Sequence, residues 1–177
     1  HKPQTFKVRS LDHASLPAED FRAMLAFQQK TGALQRAVLG ASRLMKETED
    51  RLLRIKGAIQ SFPGISPGLI IEARRLEAEL TDLQVCMTGD PIKSRRNYPV
   101  PPGIIDRVQR IVSGHWDSSR SDPTQTQRRS YEIAASLFEP LQIRLKKLVE
   151  IDLPAIEETM EKAGVPWTSG RIPQWKR

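Results

Sequence analysis

Three groups of residues in this 177-residue chain are of types that could do chemistry. Ser113, His115 and Asp117 stand at i, i+2 and i+4. A nucleophilic serine needs a base oriented by a third group and held at a fixed distance. This spacing inside a loop, with no strand–turn–helix around it, does not build that arrangement. Glu157, Glu158 and Glu161 cluster near the C-terminal end. Helical bundles bind metal pairs through inward Glu and Glu-x-x-His motifs. No Glu here is followed three residues later by His, so the cluster reads as a solvated acidic face. No glycine run has the spacing of a phosphate-binding loop. These patterns lead to no expected catalytic residue, metal or cofactor.

The third group is Lys93, Arg95, Arg96 and Tyr98, with Trp116 further on. Arg and aromatic side chains are favoured in protein contacts, which makes these five the candidate partner-binding residues. The plainer reading, and the preferred one, has Tyr98 and Trp116 plugging the ends of the fold.

The elements that position these groups follow from periodicity. Phe27, Thr31, Leu34, Val38, Ala41, Met45, Thr48, Leu52, Ile55 and Ile59 alternate steps of four and three. That is one face of a long α-helix. Ser15-Leu16-Pro17-Ala18-Glu19-Asp20 reads as its start, with Ser15 as cap, and Phe62-Pro63-Gly64 as its end. Gly32 and Gly40 lie off the seam, as tolerated glycines or as points of close approach. A second helix from Ser66-Pro67 to about Met87 repeats the spacing through Leu69, Ala73, Leu76, Leu80 and Leu83. The short turn between them requires an antiparallel pair. Asp90 to Gly103, with four prolines, predicts an irregular, extended connector. Ile104 to Val112 predicts a short helix. A last long helix from Asp122-Pro123 carries Tyr131, Ala134, Phe138, Leu141, Leu145 and Leu148 on its stripe. Pro140 and Pro154 fall inside it and should bend or break it.

The predicted fold is therefore all-α: an elongated antiparallel bundle of three long rods, the middle rod broken into two helices. Residues 15–166 form the bundle. Residues 1–14 are a tail or linker in which Gln4, Phe6 and Val8 suggest a residual strand, and 167–177 are a basic tail with Trp167 and Trp175. Those tryptophans would anchor the tail to the bundle or to a preceding domain. The chain begins at His1, as a processed chain or a piece of a longer one would.

The formal charge is +7. Lys93 to Arg129 holds eight Lys and Arg against three Asp, a net of +5. A basic balance permits nucleic acid, anionic lipid or an acidic protein surface without requiring any of them. Nucleic acid is the disfavoured partner. Cys86, the one cysteine, excludes an intrachain disulfide and a Cys-based zinc site, and reads as a small buried hydrophobe. No run approaches the ~20 apolar residues of a membrane span.

The second half, with Leu145, Leu148, Asp152-Leu153-Pro154 and Ala163-Gly164-Val165-Pro166, resembles a known arrangement. It is similar to the C-terminal helical region of bacterial exported proteins with sortilin-like or sialidase-type (BNR, Asp-box) β-propellers, often labelled glycosyl hydrolases. Phe6-Lys7-Val8-Arg9 resembles the end of the preceding β-domain. The Asp-box repeats and the propeller are missing here, so no catalytic residue carries over. The resemblance implies a non-catalytic helical scaffold, exported, packing on a propeller or on a protein partner. The alternative expectation is a stand-alone basic bundle that binds nucleic acid or an anionic surface.

Overall fold

The computed structural model describes residues 3–8, 20–64, 66–115, 121–173 and 175. Among these the regular structure is all helical and packs as a bundle; residues 3–8 are exposed and form no strand, correcting the residual strand read at Gln4, Phe6 and Val8. The helices are α1 (Phe21–Ser61), α2 (Pro67–Thr88), α3 (Pro91–Arg95), α4 (Ile104–His115), α5 (Gln125–Lys147) and α6 (Leu153–Lys162), with a π-helical turn at Leu148–Asp152 between the last two.

The 41 residues of α1 span about 60 Å at 1.5 Å per residue. Its buried face is Phe27, Thr31, Val38, Met45, Thr48, Leu52, Ile55 and Ile59, the seam read from the sequence. The two threonines are satisfied within the helix, each hydroxyl donating to the carbonyl four residues back (Phe27 and Leu44) at 2.8 and 2.7 Å. The start is later than predicted. Asp20 is the N-cap, in extended conformation, with its carboxylate accepting the N–H groups of Arg22 and Ala23. Ser15 and Pro17 lie outside the described residues. Gly40 has no neighbour within 4 Å of where a Cβ would stand, so it is not a point of close approach.

Cross-helix pairs fix the directions. Lys56 meets Glu77, and seven residues earlier on α1 Glu49 meets Gln84, seven residues later on α2. These two helices are antiparallel. Arg144 to Glu79 and Asp152 to Arg75 set α5 and the π turn antiparallel to α2. Phe27 against Tyr131, and Arg51 against Glu157, run α1 parallel with α5 and α6. α2 and α4 each pack on both α1 and α5. α4 starts beside the end of α2, with Gly103 against Met87, and ends beside the start of α5, with Gly114 next to Gln127. The core is continuous from Val38 and Val108 to Met160 and Val165. Cys86 is half-buried against that core, short of the buried position expected.

The two prolines behave differently. α5 continues through Pro140. Pro154 stands in the first turn of α6, directly after the π turn, in which the Leu153 N–H reaches back five residues to the Leu148 carbonyl. A proline clashes with the carbonyl one α-turn behind it. One extra residue in that turn shifts the carbonyls and lets Leu148, Leu153 and Ile156 all stay buried.

Candidate interaction surface

The connector between α2 and α4 is irregular after Arg95, as predicted, but it opens with a one-turn helix, α3, that was not. That helix is capped at both ends. At the N-terminus the Asp90 carboxylate accepts the N–H groups of Ile92 and Lys93 at 3.0 and 3.1 Å, and its other oxygen lies 3.4 Å from the Lys93 ammonium. These bonds, that from the Lys93 N–H first, hold the Asp90 carboxyl below its ordinary value. At the C-terminus Asn97 is left-handed, with φ 57°. Its N–H donates to the Ser94 carbonyl and the Tyr98 N–H to the Lys93 carbonyl, at 3.0 and 3.1 Å. This is a Schellman motif with Asn97 in place of the usual glycine. Asn tolerates that backbone region better than other side chains with a Cβ. The motif folds Tyr98 back toward the turn that bears Ile92 and Lys93.

The other end of the connector is fixed by Gly103. A Cβ there would stand 2.6 Å from the Met87 carbonyl oxygen, so the chain can cross the end of α2 only as glycine. Ile104 is then fully buried and α4 starts at once. Beneath α3 runs a polar groove of about 400 Å³, whose walls include Asp90, Ser94, Asp106 and Arg110.

Lys93, Arg95, Arg96 and Tyr98 are all exposed, together with Ile92, which sequence reasoning missed. Ile92 is 66% exposed and Tyr98 61%. Tyr98 therefore does not plug the bundle, correcting the preferred reading of that residue. An apolar residue next to a Pro-led cap was the available signal for Ile92, but its exposure depends on how α3 is tilted. Trp116 lies outside the described residues, as does Asp117. Ser113 donates to the Gln109 carbonyl of its own helix at 2.9 Å.

The acidic cluster is also revised. Glu157 is 8% exposed and paired with Arg51, whose Nε and Nη2 each donate at 2.6 Å to one carboxylate oxygen. Glu161 pairs with Arg171, itself 7% exposed. Only Glu158 is the solvated residue expected, paired with Lys162 at 2.7 Å. Arg171 also donates to the Val165 and Pro166 carbonyls, and its own carbonyl accepts the Trp167 indole N–H at 2.7 Å. The segment after α6 is thus held to the bundle by a buried guanidinium, while the rings of Trp167 and Trp175 stay exposed. Among the described residues no group of three His, Cys, Asp or Glu could hold a metal, and no helix is long and apolar enough to cross a membrane.

Set against known protein families, curated proteins and solved structures, the chain matches none.

Proposed function

We propose that this chain is a non-catalytic helical interaction module acting through protein–protein contacts, the C-terminal part of a larger exported propeller protein. One observation carries the protein-contact reading. The bundle holds out a small turn, fixed at both ends by caps, that displays Ile92 and Tyr98 amid Lys93, Arg95 and Arg96. A backbone already fixed by its caps needs no further ordering on binding, which lowers the entropic cost of engaging the side chains it carries. An aromatic with neighbouring arginines is the composition of an interface centre. The propeller parent rests on the resemblance of the Asp152-Leu153-Pro154 and Ala163–Pro166 motifs.

A photo-crosslinking amino acid at position 98, in the native protein in its own cells, tests the contact. Crosslinks to protein are expected from 98 and not from the exposed Gln60 on α1. Equal labelling from both positions would sink it. An antibody to the bundle tests the parent: an exported band well above 20.1 kDa is expected, and an intracellular band of that mass argues against it.

A second reading, a stand-alone basic bundle on nucleic acid or an anionic surface, draws on the net +5 of Lys93 to Arg129. Steep loss of DNA or vesicle binding with added salt would favour it.

A further inference from the structure

The charge of the bundle is segregated along its length. One half consists of residues 20–43, 90–115 and 121–139, where α4 packs on α1 and α5. It holds eleven Lys and Arg against six Asp and Glu, a net of +5. The other described bundle residues, 44–64, 66–89, 140–173 and 175, hold eleven against twelve, a net of −1. In that second half the cations are largely neutralised by pairs such as Lys56–Glu77, Arg144–Glu79 and Lys147–Asp152. In the basic half, Arg95, Arg96, Arg107 and Arg110 form no ion pair with a described residue, and the Arg107 Nε is buried without a hydrogen-bond partner. Lys30 is spent over the Tyr131 and Phe27 rings, 4.4 and 5.2 Å from their centroids.

We propose that this half is a docking face for an acidic segment of a protein partner, with Ile92 and Tyr98 as its apolar centre and Lys93, Arg95, Arg96 and Arg110 as its charged surround. The inference rests on reading the connector as an interaction surface. Charge complementarity supplies the partner's sign: uncompensated cations attract and orient an acidic chain and speed its arrival. The chemistry of the connector supplies its class. Asp90 and Asp106 line the groove beneath α3, where a continuous phosphate backbone would meet two carboxylates. An acidic peptide can instead set its carboxylates on the arginines and a donor on Asp106. A five-residue helix with one exposed isoleucine offers too little apolar face to lie in a membrane interface.

The test uses the full chain and a fluorescent synthetic peptide of Glu interspersed with Leu and Trp. The comparison probes are the same peptide with Lys for Glu, a DNA duplex, and phosphatidylcholine vesicles containing phosphatidylglycerol. The acidic peptide is expected to bind, the lysine peptide not. Affinity should fall about tenfold between roughly 50 and 300 mM salt as exposed charges are screened. R95E with R96E should abolish binding, I92A with Y98A should weaken it at both salt concentrations, and R54E with R74E in the other half should leave it unchanged. Binding of both peptides alike, or tighter binding of DNA or vesicles, overturns the inference. If the acidic peptide fails while position 98 still crosslinks to protein, the acidic partner is refuted and the interaction module stands. If position 98 crosslinks to nothing above the Gln60 control, both fall.

Discussion

At the scale of single residues, two side chains have jobs that their type alone would not suggest. Glu157 sits in a run of acidic residues, yet it is buried against the Arg51 guanidinium. Removing one member of such a pair leaves a charge with no partner in a place of low polarity, which costs more than the pair is worth. We expect R51M to destabilise the fold by about 2–3 kcal/mol, and R51M with E157L to recover most of that. Urea unfolding of these two variants beside the parent checks it; a double variant no better than R51M would show that the loss does not come from a stranded Glu157 charge. Asn97 is the second case. Its left-handed backbone forms the cap that sets Tyr98 in place. Asn97→Gly should be neutral, whereas Asn97→Val should cost about 1–2 kcal/mol locally. The Tyr98 amide, bonded to the Lys93 carbonyl, should then exchange its hydrogen about tenfold faster or more. An unchanged rate in the valine variant would contradict the capped turn.

At the scale of elements, glycines separate what the helices need from what the packing needs. Gly40 lies in the interior of α1 with open space beside it. Alanine there should raise stability by about 0.5–1 kcal/mol through helix propensity alone. Gly103 is the opposite case. A methyl group would run into the Met87 and Thr88 backbone, which no rotamer change can relieve. We expect G103A to cost about 2–3 kcal/mol. Thermal melting of the two variants should show shifts of opposite sign, and a shift of the same sign would mean that the crossing of connector over α2 is loose. Gly40 was legible as a helix residue off the seam and Gly103 as the end of the connector. Whether either has a close neighbour was not, because for Gly103 that depends on the connector crossing the end of α2.

At the scale of the whole molecule, ion pairs join rods that are distant in sequence. Glu79 on α2 is held below its ordinary carboxyl range, first by the hydrogen bond from Arg144 on α5. Glu72 is lowered in the same way by Arg75. A lowered folded-state value means that the unfolded chain takes up the proton more readily. The stabilisation is therefore present in full above the unfolded Glu range, about pH 4.3, and is lost as pH falls through the lower folded value. Unfolding midpoints should be flat from about pH 7 to 5 on account of these groups and then decline. E79Q should be less stable than the parent at neutral pH and lose less on acidification. Identical acid limbs for the two proteins would mean that Arg144 does not act on Glu79 in solution.

The sequence by itself determined the helical class, the seam of α1 and the antiparallel return of α2. These follow from apolar periods of about 3.6 residues, from Pro and Gly stops, and from a connection too short for any other return. Most core positions were legible for the same reason, since each lies on a stripe that its own helix defines. Only the tertiary structure decided the rest. That Glu157 is buried, that Arg171 pins the final segment, that Ile92 and Tyr98 stay in water and that positive charge collects in one half all depend on which rod lies beside which. Such side chains take their surroundings from residues as far as 106 positions away, and a local pattern carries no record of them.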